Sequence, residues 1–357
     1  MNKCISNKLK FYNWILTIGV VAYHSNLNSG YDISNTILNV KILNVYNEII
    51  SILGIFVMYN FFFLSGFWFW RGISTIHDVK KKYLKRVYTV LQPYLMWTIV
   101  ILLFERIFSY NNVSTINFRS LCDIFFLDPI DGPLWYLLAL MIIQSFSPII
   151  YFISKNKKIF IIFTMFIICY ISLRIMGYVP TIIAFNNWWW YGHMICYLPS
   201  YFLGALVGLY YSDIILKREY TNKICLLLGL LLICISITFK YVIMRGGSNY
   251  IIELISMNIL SIGGWLIIDA RRFEKDIPKI IDSSFYVYAT HSPIFIPVTT
   301  VILTKMLQGI CVNSIEMIII KLIQVALVIV GGYITKMLFN IIFSERLYFG
   351  FSGGRGL

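Results

Sequence analysis

Long apolar runs, separated by short polar stretches, follow one another along the whole chain. A helix needs about 20 mostly apolar residues to cross the hydrocarbon core of a bilayer, and several runs reach or approach that length. The candidate spans cover residues 11–27, 48–70, 84–108, 134–153, 158–176, 190–212, 223–243, 250–268, 283–306 and 316–343. The pattern predicts an all-α integral membrane protein. Its single domain, residues 1–357, is expected to be a bundle of about ten transmembrane helices with no appended soluble domain.

The charged residues between these spans alternate from one side of the predicted membrane to the other. One set of loops and termini holds 21 lysines and arginines, whereas the opposite set holds three, at Lys41, Arg119 and Arg245. Because basic loops stay in the cytoplasm, both termini are predicted to be cytoplasmic. The last stretch, GFSGGRG at 350–356, is typical of a flexible basic tail.

Composition agrees with this picture and excludes other classes of protein. Hydrophobic residues make up 59% of the 357 residues and charged residues 13%, whereas soluble domains are about one quarter charged. The net charge of +14 is spread over short clusters between the spans, so the lipid bilayer is an expected partner and nucleic acid is not. The seven cysteines form no C-x-x-C pair, and no set of possible ligands has metal-site spacing, so no metal is expected.

Two histidines lie inside the apolar runs. Ionisable side chains in membrane helices are functional candidates, although a neutral imidazole that is hydrogen-bonded to a neighbouring helix is the structural alternative. His24 is about 14 residues into its span and is expected in the outer half of the membrane, at 1.5 Å of rise per residue. His291 is about eight residues into the ninth span and is expected nearer the middle or the inner half.

Six phrases, spread over most of the chain, resemble the bacterial acyltransferase-3 family of integral-membrane enzymes, which O-acylate surface sugars. They are FYNWILTIGVVAYHS (11–25), NFFFLSGFWFW (60–70), KKYLKRVYTVLQPYLMW (81–97), GPLWYLLALM (132–141), YLPSYFLGALVG (197–208) and SSFYVYATHSPIF (283–295). Each phrase is short, but together they occur in the family's order, and the predicted span count agrees with the family's ten-helix core.

The resemblance implies a membrane acyltransferase of the bacterial cytoplasmic membrane. Such an enzyme moves an acyl group, in the simplest case acetyl, from cytoplasmic acyl-CoA to a hydroxyl of a cell-envelope glycan or an exported polysaccharide. Acyl-CoA is then a donor substrate and the glycan is the acceptor, and no tightly bound cofactor is implied. Two alternatives remain open: a non-catalytic polytopic protein that assists polysaccharide export, and a transporter of a small solute.

The resemblance also implies roles for particular residues. His24 and His291 are the catalytic candidates, because a histidine can take a proton from a hydroxyl and return it near neutral pH. Arg86, Lys85 and Asn13 are the candidates for binding the donor, since CoA is polyanionic. A basic loop is also what the cytoplasmic side of a membrane protein requires, which is the alternative reading of Arg86 and Lys85.

Three further residues of the quoted phrases, Ser65, Trp135 and Tyr136, are candidates for lining a substrate channel. Helix packing is the alternative for each of them. Ser65 and Gly66 are small enough to let two helices approach closely, and Trp135 and Tyr136 suit the outer interface of the membrane.

The chain departs from the family pattern at two positions. The family carries an arginine eleven residues before the histidine of the first helix, where this chain has Asn13. It also carries two arginines three residues apart in the third helix, where Arg86 fills the first position and Thr89 stands at the second. Asparagine forms hydrogen bonds but no ion pair with phosphate. Four nearby cations are the candidates to replace the missing charges: Lys8, Lys10, Lys82 and Lys85.

Overall fold

Helices form nearly all of the structure. A computed structural model of the chain describes residues 3–25, 37–108, 123–127, 129, 132–178, 189–213, 222–246, 250–275, 277–307 and 312–354. Within these ranges no β-strand is formed, so the all-α prediction is confirmed.

The helices follow the predicted spans closely. In chain order they are α1 (Lys3–His24), α2 (Ile37–Trp70), α3 (Ile76–Arg86), α4 (Gln92–Phe108), α5 (Trp135–Ser145), α6 (Ser147–Ser154), α7 (Lys157–Ile175), α8 (Trp189–Tyr210), α9 (Asn222–Gly246), α10 (Tyr250–Ile267), α11 (Ser284–Thr290), α12 (Ile296–Met306), α13 (Ser314–Ile342) and α14 (Glu345–Ser352). Five-residue π-helical turns, Val87–Leu91 and His291–Phe295, join α3 to α4 and α11 to α12.

Seven helical segments of the described residues are long and apolar enough to cross a membrane, and the bent pair α5 and α6 brings the number to eight. The protein is therefore a multi-pass membrane protein. The remaining two predicted spans overlap α1, whose first half carries Lys3, Lys8 and Lys10, and α9, whose apolar part is the shorter segment Lys223–Phe239. The span count of ten and the cytoplasmic termini stay predictions.

The chain divides into two compact units, which we describe separately. Unit 1 comprises residues 1–9, 58–87 and 136–277, and unit 2 comprises residues 10–57, 88–135 and 278–357. The single domain inferred from the sequence stays a prediction.

In unit 1, α2 and α8 approach each other so closely that their backbones touch. A Cβ atom added at Gly66 would lie 2.0 Å from the carbonyl oxygen of Tyr201, and one at Gly204 would lie 2.0 Å from that of Phe63. Only glycine fits at such a contact. The close packing predicted for the Ser65–Gly66 pair is therefore confirmed for Gly66.

The cytoplasmic end predicted for α2 is fixed by the next helix of the same unit. Thr75 and Asp78 form a capping box at the start of α3, which satisfies backbone N–H groups that the first helical turn leaves free. From α3 the Lys82 ammonium donates to the carbonyl oxygens of Phe69, at 2.8 Å, and of Arg71. These carbonyls end α2, where a cation is favoured by the helix dipole.

In unit 2, the end of the chain packs against α4 instead of forming a flexible tail. The Trp97 indole nitrogen donates to the Phe351 carbonyl oxygen at 3.1 Å, and Tyr348 is 2% exposed. Gly353 ends α14 in the left-handed conformation, with φ of 60°. The prediction of a flexible tail is wrong for residues 350–354, because aromatic side chains anchor the segment; residues 355 and 356 lie outside the described residues.

Candidate active site

The two candidate catalytic histidines lie side by side in unit 2. His24 is the last residue of α1 and His291 follows α11, and their ring centroids are 5.3 Å apart with the ring planes at 56°. Nearer the other end of α1, Lys10 forms an ion pair of 2.8 Å with Asp282, just before α11. This pair sets the register of the two segments, so the different depths predicted for the two imidazoles are not observed.

His291 is held in one tautomer. Its Nδ1 lies 2.7 Å from the carbonyl oxygen of Tyr288, and because a carbonyl can only accept, Nδ1 carries the hydrogen and Nε2 carries the lone pair. The side chain is 0% exposed, and Nε2 has no hydrogen-bond partner among the described residues. A buried acceptor without a partner costs about 1–3 kcal/mol. The unused lone pair can serve as a proton acceptor or bind a ligand donor.

The π-helical turn that begins at His291 has a cause in the sequence. Pro293 has no N–H to donate to the carbonyl four residues earlier, so the regular helical ladder is interrupted there. The preceding turn is anchored by Tyr288, whose hydroxyl donates to the carbonyl oxygen of Pro133 and whose ring centroid lies 5.9 Å from that of His291. Single π-helical turns occur frequently at functional sites.

His24 differs from His291 in being only partly buried. The ring of Tyr23 meets it edge-on at 5.1 Å between centroids. Ser25 directly after it caps the helix end by donating to the carbonyl oxygen of Val21 at 2.9 Å. The pair therefore joins one fully buried imidazole to one that is only partly buried.

In unit 1, Arg86 ends α3 just before the other π-helical turn. Its guanidinium is close enough to the phenols of Tyr136 and Tyr201 to interact with them electrostatically, and among the described residues no carboxylate pairs with it. Lys85, one residue earlier, is exposed. A partly buried arginine without a carboxylate partner is suited to bind an anionic ligand.

Two of the three predicted channel residues bond to each other beside Arg86. The Tyr136 hydroxyl donates to the carbonyl oxygen of Phe61 at 2.9 Å and lies 2.7 Å from the Ser65 hydroxyl, which therefore donates to it. This pair fastens α5 to α2. Trp135 belongs to unit 2 and is 8% exposed. The role of the three residues in a channel stays a prediction.

Comparison with known families agrees with the quoted phrases. The sequence model of the acyltransferase-3 family, described as an acyltransferase domain, matches residues 13–341. This match covers nearly the whole chain. The chain belongs to the acyltransferase-3 family. No curated protein and no solved structure matches it.

The structure describes the surroundings of Asn13 and of two nearby cations in this acyltransferase-3 member. At Asn13, the backbone carbonyl accepts from Thr17 at 2.8 Å, and the residue lies about 16 Å along α1 from His24. Among the cations that could compensate, Lys10 pairs with Asp282 and Lys82 with backbone carbonyls. Arg86 is therefore the family arginine that remains available to a ligand.

At Thr89, where the family has its second arginine, the chain instead receives its own C-terminal segment. A Cβ atom added at Gly353 would lie 2.4 Å from the Thr89 carbonyl oxygen. An arginine side chain is not needed for this contact, which involves only backbone. No local pattern indicates this contact, because the two residues lie far apart in the chain.

Sequence reasoning missed three buried polar residues near Arg86: Trp70, Gln144 and Tyr201. All three are 0% exposed, and Tyr201 interacts with Trp70, Gln144 and Arg86. Gln144 offered a signal, since an amide in the middle of an apolar span is unusual. Trp70 and Tyr201 offered none, because aromatic residues are common throughout this sequence.

Proposed function

We propose that the protein is a membrane O-acyltransferase that moves an acyl group, in the simplest case acetyl, from cytoplasmic acyl-CoA to a hydroxyl of a cell-envelope glycan or exported polysaccharide. Its place is the bacterial cytoplasmic membrane. Membership of the acyltransferase-3 family supports acyl transfer. The observation that carries the proposal is the imidazole pair, in which His291 Nε2 is a buried acceptor with no hydrogen-bond partner among the residues that the structure describes.

The proposed reaction begins at the acceptor hydroxyl. His24, the more accessible ring, accepts the hydroxyl proton while the oxygen attacks the thioester carbonyl carbon. The new C–O bond forms, the C–S bond breaks, and the proton passes from His24 to the CoA thiolate. General-base help of this kind contributes about 10²- to 10⁴-fold to a rate.

His291 supports His24 through its position. Two cationic rings about 5 Å apart would repel each other strongly in a low-dielectric site, so only one ring is cationic at a time and the neutral ring keeps its lone pair. The fixed tautomer of His291 presents Nε2 for this purpose without reorganisation.

Arg86 is proposed to hold a phosphate of the CoA donor. A guanidinium binds phosphate oxygens with two parallel hydrogen bonds, and Arg86 has no competing carboxylate among the described residues. The exposed Lys85 adds positive charge beside it. This assignment places the donor at unit 1.

The missing arginines at Asn13 and Thr89 favour the alternative, a non-catalytic protein that assists polysaccharide export. A deletion strain separates the two functions. Loss of acetyl signals from the purified polysaccharide, with the polymer yield unchanged, supports the enzyme. A lower yield of polymer that is still fully acetylated supports the export role and contradicts acyl transfer.

A further inference from the structure

A cluster of buried polar side chains surrounds Tyr201 in unit 1. The Tyr201 hydroxyl, the Trp70 indole nitrogen and both amide atoms of Gln144 are buried and have no hydrogen-bond partner among the described residues. Tyr201 nevertheless interacts with Trp70, Gln144 and the Arg86 charge. Four polar atoms thus lie in one place, close to each other but outside hydrogen-bond geometry.

Such a cluster is unusual inside a membrane protein. Buried polar groups are nearly always hydrogen-bonded, and one that is not calls for an explanation by function, ligand or water. Hydrocarbon offers no partner, and nonpolar side chains would fill the same space at lower cost. The cluster is therefore arranged for a group that comes from outside the chain.

The helices that supply the cluster are interrupted beside it. The chain bends by 54° between α5, which ends at Ser145 directly after Gln144, and α6. The helix that carries Arg86 continues as the π-helical turn Val87–Leu91. Interrupted helices at membrane depth occur where the backbone is enclosed by protein or lines a cavity, and in transporters they mark binding sites.

The chemistry of the four side chains identifies the kind of ligand. Arg86 and the Trp70 indole only donate, Tyr201 can do both, and Gln144 offers one donor group and one acceptor. An oxyanion alone would leave Gln144 Oε1 without a partner. A secondary amide satisfies both ends of Gln144, because its carbonyl accepts from Nε2 and its N–H donates to Oε1.

The charges next to the cluster require that the amide belong to an anionic molecule. Arg86 acts on Tyr201 electrostatically, and Lys82 lies close enough to Arg86 and to Arg71 to interact with their charges, so positive charge adjoins the cluster on the Arg86 side. A neutral sugar has hydroxyls for Gln144 but nothing for these cations. Coenzyme A has both: phosphates, and a pantetheine arm that contains two secondary amides.

We propose that Gln144, Tyr201 and Trp70 bind an amide of the pantetheine arm of acyl-CoA, beside the phosphate held by Arg86. This inference rests on the proposed function, because it names the part of the acyl-CoA donor that Gln144, Tyr201 and Trp70 recognise. Gln144 is then a binding residue for the donor's arm, and Arg86 a binding residue for its phosphate.

The test compares two ligands that differ only in the arm. Binding of CoA and of 3′-phospho-ADP, which lacks the pantetheine arm, is measured by calorimetry on the purified protein in nanodiscs. Gln144→Leu should weaken CoA binding about tenfold, because it removes the two hydrogen bonds between Gln144 and the amide. The affinity for 3′-phospho-ADP should not change. Tyr201→Phe should act in the same direction, and Arg86→Gln should weaken both ligands.

Thermal unfolding of the unliganded variants guards against a merely structural effect. Since the Gln144 amide has no hydrogen-bond partner among the described residues, Gln144→Leu should unfold at the wild-type temperature or above it. A Gln144→Leu variant that unfolds earlier, or that binds CoA and 3′-phospho-ADP with equal losses or no loss, overturns the inference. If wild type transfers acetyl groups in that case, the proposed function stands without it. Wild-type protein that binds neither ligand removes the proposed donor and the arm site together.

Discussion

At the scale of single residues, the two imidazoles of unit 2 differ in their surroundings, since His291 is 0% exposed and His24 is only partly buried. His24 and His291 were candidates from the sequence because both are ionisable groups in apolar runs. The sequence could not show that they meet, since a contact between the two ends of a chain leaves no trace in a local pattern. It also could not show that the Tyr288 carbonyl fixes the tautomer of His291.

His291→Asn tests the buried imidazole. The asparagine amide can still donate to the Tyr288 carbonyl, but it has no basic nitrogen. We expect acetyl transfer to fall at least about tenfold with little change in thermal stability, as measured with radiolabelled acetyl-CoA and by thermal unfolding. The same substitution at His193, an exposed residue of unit 1, is the control and should leave transfer near the wild-type rate. Equal rates for His291→Asn and wild type would remove this residue from the mechanism.

Arg86→Gln tests the phosphate contact. Removing the guanidinium should raise KM for acetyl-CoA about tenfold or more, the value of a charge-assisted hydrogen bond, while kcat changes much less. Lys85→Gln is the matched control, because its exposed side chain is screened by solvent and should change KM by less than about threefold. Steady-state kinetics at several acetyl-CoA concentrations give both values. A larger effect at Lys85 than at Arg86 would contradict the assignment.

Hydropathy predicted the helices well, because a membrane span needs only length and apolarity. Each predicted run overlaps a helix of the structure. The interruptions were not predicted: the bend after Ser145, and the π-helical turns at Val87 and His291. The turn at His291 follows from Pro293, which hydropathy does not register, whereas at the turn Val87–Leu91 the Thr89 backbone lies against Gly353, directly after α14. The packing of residues 350–354 was not predicted, because a glycine-rich segment suggests a flexible tail and the aromatic contacts that hold it are visible only in the structure.

Gly353→Ala tests the contact between α14 and the π-helical turn. Alanine at φ of 60° is strained by about 1 kcal/mol or more, and its Cβ would also lie 2.4 Å from the Thr89 carbonyl oxygen. Gly72→Ala is the matched control: Gly72 has φ of 67° but nothing within 4 Å of the added atom. Gly353→Ala should therefore lower the unfolding temperature in detergent more than Gly72→Ala does. Equal losses would mean that the contact contributes nothing beyond backbone strain.

At the scale of the whole molecule, the distribution of charge predicts an orientation. One set of loops and termini holds 21 lysines and arginines, and the opposite set holds three. This is a strong bias under the positive-inside rule. Six short phrases were enough to indicate the family, and the match over residues 13–341 confirms it. Donor, acceptor and direction of transfer depend on features that neither charge nor phrases specify.

The orientation can be measured with reporters fused to the C-terminus. Green fluorescent protein fluoresces in the cytoplasm and alkaline phosphatase is active only outside it. We expect a fluorescent fusion and an inactive phosphatase fusion, because the positive loops retain that side of the protein in the cytoplasm. A fusion made within the opposite loop at residues 109–122 is the control and should give the reverse pattern. Active phosphatase at the C-terminus would overturn the orientation.

The central claim is that the paired imidazoles catalyse acyl transfer, and His24→Ala tests it most directly. Wild-type and variant protein are compared in proteoliposomes for transfer of radiolabelled acetyl groups from acetyl-CoA to a panel of bacterial glycans. We predict transfer by wild type, and a loss of at least about a hundredfold in His24→Ala, with insertion and unfolding temperature unchanged. Transfer by a folded His24→Ala protein at the wild-type rate would contradict the claim.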